Sequence, residues 1–251
     1  MKKTRVGVLN NSIYQPMIKN IEIAANEYNY EVFKLSEEQI TKFIFENRFD
    51  LVMVNPYILA KVFKFADFRI IPTRIMASVS YSDQASINFN GNLKVINELL
   101  VPNNEDYFVK IAQILLSERY NVFPAIKKYN NITEIGDNSC SMIYNNDENQ
   151  GQLDISEDFF ESFEIPLLHA FWIVRNEEEP QNVKEFINKS FDSEITGEFS
   201  IQELHHDEVI REGSIITNWD DEIKSALEQI YQLLYFRQFI DELPEIKLAE
   251  I

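Results

Sequence analysis

Residues 133–173 read TEIGDNSCSMIYNNDENQGQLDISEDFFESFEIPLLHAFWI. Gly136-Asp137 is a turn pair, and the apolar run at 139–144 that follows has the length of a buried strand. Residues 145–152 are polar, carry Asp147 and Glu148, and read as a surface loop. Ser156 precedes an acidic-aromatic run, with Ile155 and Phe160 at staple spacing, so the pattern predicts a helix with Ser156 as its N-cap. Ile165-Pro166 then opens an apolar strand, 166–174, that contains Trp172. Strand, loop, helix and strand in succession predict an α/β chain.

The same alternation continues outward. Upstream, 5–9 is a short apolar strand, followed by a helical pattern through Met17, Ile18, Ile21, Ile23 and Ala24. A second strand, 30–35, leads into Ser36 and Gln39, which form a capping-box pair with Leu35 and Ile40 at the staple positions. The third strand, 50–54, is continuously apolar, as parallel strands covered on both faces tend to be. Asn55-Pro56 then starts a helix through Tyr57, Leu59, Val62 and Phe63. Residues 70–82 read as an extended segment or strand pair, 95–101 as a strand, 104–118 as a helix and 127–131 as a polar break. Downstream, a helix over 180–191 has Pro180 in its first turn, where a missing N–H is harmless. Residues 192–220 are polar with little periodicity. The chain closes on an amphipathic helix carrying Ile223, Ala226, Leu227, Ile230, Tyr231 and Leu234 at 3/4 spacing.

The 251 residues are 45% hydrophobic and 13% aromatic, enough for a sizeable core. Net charge is −18, from 41 acidic against 23 basic residues. That balance argues against a nucleic-acid partner, which needs Lys and Arg to neutralise phosphates. It also slows anionic ligands unless their site is locally positive. No segment approaches the roughly 20 apolar residues of a membrane span. The only apolar run near the start, 6–9, is shorter than the roughly 7–15 residues of a secretory h-region, so a cytoplasmic location is expected. Cys140, alone in the sequence, excludes an intrachain disulfide and reads as a small buried hydrophobe.

Standard cofactor motifs are missing. Six glycines form neither a dinucleotide fingerprint nor a phosphate loop, and no cofactor is assigned. His205-His206-Asp207-Glu208 lacks the spacing of zinc ligands and reads as a solvated face, so no metal is assigned either. What remains is a set of small polar residues where strands end. Ligands of α/β sheets bind outside the carboxyl ends of strands. Those ends carry Asn11 and Ser12, then Asn55, then Asn103 and Asn104, with Ser78 and Ser80 on the extended 70–82 segment. Uncharged amides and hydroxyls suit a small polar ligand, although the same residues also serve turns and caps. His169, within an apolar strand, is the best candidate for proton transfer, and equally a hydrogen-bonded core residue.

The opening stretch resembles the menaquinone-biosynthesis proteins of the futalosine pathway, the chorismate dehydratase-like family. Its counterparts to that family's pattern are Gly136-Asp137, Asp154-Ile155-Ser156-Glu157-x-Phe159, and Ile165-Pro166-Leu167-Leu168-His169-Ala170-Phe171-Trp172. The resemblance implies a two-lobed, periplasmic-binding-protein type II-like fold with mixed, largely parallel sheets and a C-terminal helix. One lobe would comprise 1–82 with 174–251, the other 83–173. It further implies a cleft between the lobes closing on a small polar molecule, and loss of water from chorismate to give an enolpyruvyl-benzoate. Three positions depart from the pattern. Ile13 stands where the family places a site Asn, 102–107 replaces a Ser/Thr-rich helix start, and His169 replaces an apolar residue. Two functions therefore stand side by side: a hydro-lyase of this family, or a non-catalytic solute-binding protein for a neutral or cationic ligand. A homodimer is compatible with the C-terminal helix, which an ordinary core equally explains.

Overall fold

The computed structural model describes residues 3–89, 95–104, 106–129, 136–144, 153–175, 180, 182–192, 194–195, 198–204 and 210–250. The 145–152 loop and the His205–Glu208 cluster read from sequence lie outside them, as does Glu105.

The chain divides into two compact units. The first comprises Met1–Ala77, Leu168–Phe199 and Ile216–Ile251, the second Ser78–Leu167 and Ser200–Ile215. The chain passes from one to the other within strands, at positions 77/78, 167/168, 199/200 and 215/216. Leu168–Ile173 belong to the first unit, where the sequence reading grouped them with the second lobe. They pair antiparallel with the strand Leu51–Val54, Phe171 opposite Val54 and Trp172 opposite Met53.

The first unit opens with strand β1 (Thr4–Leu9), a 3-10 turn at Ser12–Tyr14, and helices α1 (Gln15–Ile18) and α2 (Ile21–Tyr28). The continuous helical pattern expected here is thus broken. Strand β2 (Tyr30–Leu35) follows, then α3 (Glu37–Phe45), β3 (Leu51–Val54) and α4 (Pro56–Val62). The capping box forms as its residues dictate: Gln39 N–H donates to Ser36 Oγ (3.3 Å) and Ser36 N–H to Gln39 Oε1 (3.1 Å). Strands β1, β2 and β3 are parallel, and every residue of β3 is buried, which is why its sequence is apolar throughout. Gly7 lets β1 lie against Phe49, whose ring a Cβ would meet at 2.9 Å.

Strand β4 (Phe68–Ser80) leads to β5 (Ala85–Phe89), β6 (Glu98–Val101), α5 (Tyr107–Glu118), β7 (Ala125–Lys128), β8 (Ser139–Tyr144), β9 (Leu153–Asp154) and α6 (Ile155–Phe163). Strand β7 occupies ground read as leading into a polar break. Then come β10 (Leu167–Arg175), α7 (Val183–Ser190), β11 (Glu198–Leu204), β12 (Ile210–Asn218) and α8 (Asp221–Phe236). Seven strands form one sheet in the order β11-β12-β4-β10-β3-β1-β2, and five form another, β7-β6-β8-β5-β9. Both are mixed: β6 is parallel to β7 and β8, while β5 is antiparallel to β8 and β9. Trp172 is fully buried on β10, its ring edge-on to Phe186 of α7. Helix α8 buries the six residues its periodicity singled out.

Three expectations are corrected. Helix α6 is capped by Asp154, whose Oδ1 accepts from Glu157 N–H at 2.9 Å, not by Ser156. The Ser156 hydroxyl is instead bonded to that of Ser82 (2.8 Å) in the interior. Helix α7 starts at Val183, so Pro180 precedes its first turn. The region read as irregular, 192–220, contains β11 and β12.

Candidate functional site

In the first unit, β1 and β3 run parallel, so their carboxyl ends open on one edge of the sheet. Asn11, Ser12 and Asn55 follow those ends. Strand β10 runs the other way, and His169 precedes Phe171, the partner of Val54, by two residues. It therefore extends past the end of β3 on that same edge. Register brings four of the sequence candidates to one place.

Their local roles differ. Asn11 caps the 3-10 turn, its Oδ1 accepting from Ile13 N–H at 3.2 Å, and exposed Ser12 donates to the same oxygen at 3.3 Å. Asn55 is 0% exposed and caps α4, its Oδ1 accepting from Ile58 N–H at 2.9 Å. Its other half is unsatisfied: the buried Nδ2 has no hydrogen-bond partner among the described residues. An unmade hydrogen bond of this kind costs about 1–3 kcal/mol. His169 is also fully buried, and burial alone pushes its imidazole from the ordinary 6.5 down to about 3. At neutral pH it is uncharged, holds no acidic proton to deliver and is a weak base.

In the second unit, Asn103 and Asn104 follow β6. Asn103 Nδ2 donates to Asp106 Oδ1 (2.8 Å), and the Tyr144 hydroxyl donates to Asp106 Oδ2 (3.2 Å). With its side chain held between them, Asp106 makes no side-chain cap to α5. The helix consequently starts at Tyr107, three residues later than its sequence pattern. Asn104 is exposed, and its carbonyl accepts from Lys110 Nζ at 3.0 Å. A carboxylate brought to this helix start would face that of Asp106. Like charges about 4 Å apart repel by about 4 kcal/mol at an effective dielectric near 20. Ser78 is fully buried, whereas Ser80 lines an open recess with a left-handed φ of 60°.

That recess, about 530 Å³, lies wholly within the second unit, and its charged wall was not singled out by sequence spacing. Arg119, just past α5, pairs with Asp158 Oδ1 (2.7 Å) and Glu161 of α6. The Tyr120 hydroxyl donates to the same Asp158 oxygen at 2.7 Å. Arg211 of β12 pairs with Glu157 at 3.5 Å and lies 5.8 Å over the Tyr81 ring. Burial raises the Asp158 carboxyl, opposed by Tyr120 and by the two guanidinium groups. Arg211 belongs to the stretch that read as irregular, so only the acidic run Glu157-Asp158…Glu161 signalled this wall in the sequence.

Cys140 is buried, and burial pushes its thiol up to about 12, far from a thiolate nucleophile. Among the described residues no three His, Cys, Asp or Glu side chains are placed to hold a metal ion, and no helix is long and apolar enough to cross a membrane.

No protein-family model matches the sequence, and no curated protein is significantly similar to it. Solved structures do match. Protein AF1704 from Archaeoglobus fulgidus superposes with a TM-score of 0.57 at 13% identity, covering 95% of this chain and 98% of that one. An ABC transporter protein from Parabacteroides distasonis also gives 0.57, at 9% identity, covering 100% of this chain and 99% of that one. At such identities the likeness establishes the fold. The chain has the α/β, periplasmic-binding-protein type II-like architecture expected of it.

Proposed function

We propose that this protein binds a small polar, neutral or cationic molecule without transforming it, in the manner of solute-binding proteins. The Asn55 carboxamide carries the reading. It is fully buried at the carboxyl edge of the parallel strands, with one half engaged in capping α4 and an amide donor left without an acceptor. A ligand oxygen is the partner such a group lacks. Charge supports a ligand that is not anionic, since the chain is at −18. Asn11 and Ser12, which follow β1 on the same edge, are the further contacts proposed.

The test is thermal unfolding against a panel of neutral sugars, amides, amines and chorismate. A ligand at 100 times its Kd stabilises by about 2.7 kcal/mol. Asn55→Ser keeps an oxygen for the helix cap but removes the amide donor, so the stabilisation is expected to disappear. Stabilisation unchanged in that variant contradicts the role of Asn55.

The resemblance over 133–173 supports a second reading, in which chorismate loses water to give an enolpyruvyl-benzoate. That reaction needs a proton acceptor at the substrate carbon, and His169, neutral and buried, is a weak one. Formation of the product by the wild type, abolished in His169→Ala, favours this reading over the first.

A further inference from the structure

We infer that, given the binding role proposed for Asn55, Glu37 sets the chemical class of the ligand: an ammonium together with a hydroxyl or carbonyl oxygen, as in an amino alcohol, amino amide or amino sugar. Register places the two residues on one edge. Leu9 pairs with Leu35 and Gly7 with Val52, so β2, β1 and β3 end level at Leu35, Leu9 and Val54. Glu37 opens α3 two residues beyond Leu35, and Asn55 caps α4 directly after Val54. Strands β2 and β3 flank β1 and so lie about 10 Å apart, two strand spacings. The Glu37 Oε1 accepts from the Tyr14 hydroxyl at 3.4 Å, and Tyr14 ends the 3-10 turn that Asn11 caps. The carboxylate is thereby tied to the turn leaving β1, the strand between β2 and β3.

Charge on this edge is one-sided. The segments leaving β1, β2 and β3 (10–15, 36–41 and 55–60) contain Glu37 and Glu38 and no Lys or Arg. Of the flanking basic residues, Lys34 pairs with Glu22 at 2.8 Å and Lys61 lies 4.2 Å over the Tyr57 ring. The fully buried Asn55 Nδ2, an amide donor with no partner among the described residues, asks the ligand for an oxygen. An ionised carboxylate only accepts, so Glu37 asks the same ligand for an N–H. A neutral N–H would satisfy the geometry, but an ammonium also balances the charge, and its hydrogen bond is about twice as strong. A carboxylate in the first turn of α3 also suits the helix dipole. Glu38, exposed in that same turn, shares this role without the tie to Tyr14 and serves as the control.

The experiment measures dissociation constants by thermal-shift titration of the full chain with matched pairs differing only in an amine against a hydroxyl. The pairs are glucosamine and glucose, 3-aminopropanol and 1,3-propanediol, and 4-aminobutanamide and 4-hydroxybutanamide, at constant ionic strength. In at least one pair the amine should bind at least tenfold more tightly than its hydroxyl counterpart. Glu37→Gln keeps the side-chain length and an oxygen for Tyr14, and should abolish that preference while leaving the hydroxyl member's affinity unchanged. Glu38→Gln removes the same charge from the same turn and should leave the preference intact. A preference that survives Glu37→Gln, or falls equally in Glu38→Gln, would mean diffuse attraction to an acidic surface and overturns the proposal. Equal binding of both members of every pair, or none by any, overturns it as well. An amine preference that depends on Glu37 but persists in Asn55→Ser instead overturns the role of Asn55 and leaves that of Glu37 standing.

Discussion

His169 and Asp154 are both wholly buried titratable groups, and their effects on stability run in opposite directions. The folded state holds His169 near 3 against an ordinary 6.5. As pH falls below about 6.5 the unfolded chain takes up a proton that the folded chain refuses, so stability is lost on acidification. Burial raises Asp154 from 3.8 to about 7, against the pull of the Glu157 and Asp83 N–H groups. The unfolded chain releases that proton near pH 4 while the folded chain retains it, so Asp154 contributes stability at low pH that is lost as pH rises towards 7. Each pH unit between the folded and unfolded values is worth about 1.4 kcal/mol. Between pH 4 and 6.5 the two slopes oppose each other in the wild type. In Asp154→Asn the His169 slope is no longer opposed by that carboxyl, and the His169 contribution should fall by about 1.5 kcal/mol between pH 6.5 and 5. In His169→Gln the slope should reverse, stability rising on acidification. Urea unfolding across this range checks both, and parallel profiles for the two variants contradict the assignment.

At the scale of elements, sequence was most informative where backbone and side chain demand the same thing. Ser36 with Gln39, Asn55 with Pro56, the apolar 51–54 run and the α8 stripe are local patterns with local causes, and each is realised. It misled where a polar side chain had a distant alternative. Ser156 looks like a cap until Ser82, 74 residues earlier, takes its hydroxyl. Tyr144, 38 residues later, takes Asp106 in the same way, together with the neighbouring Asn103, and α5 is shortened. The recess escaped for a related reason, since Arg119, Asp158 and Arg211 come from three elements that no spacing connects. Strand β12 was hidden because its residues 210–213 alternate only between exposed and half-buried and include a glycine.

That glycine is structural. Tyr81 N–H donates to the Glu212 carbonyl at 3.3 Å, and a Cβ on Gly213 would lie 1.9 Å from the Tyr81 carbonyl oxygen. No side-chain adjustment relieves a clash with backbone. Gly213→Ala should therefore destabilise by about 3 kcal/mol or more, beyond the usual cost of overpacking, and displace Arg211 from Glu157. Denaturant unfolding measures the first effect. A loss below about 1 kcal/mol would show that β12 moves freely against Tyr81.

For the whole molecule, the resemblance and the fold agree, while the chemistry does not follow from either. The positions that carried the resemblance serve as scaffold here: the turn at Gly136–Asn138, the Asp154 cap, Pro166 before β10, and Trp172 packed on α7. The histidine of that stretch, His169, is buried and neutral. Binding without turnover is the account that these facts support together, with the buried Asn55 amide awaiting a ligand oxygen. Native mass spectrometry of the protein incubated with the ligand panel, chorismate included, tests it most directly. The account predicts a 1:1 adduct with the mass of one unchanged panel member, lost in Asn55→Ser. Conversion of chorismate to a species lighter by one water, or no adduct with any member of the panel, would contradict it.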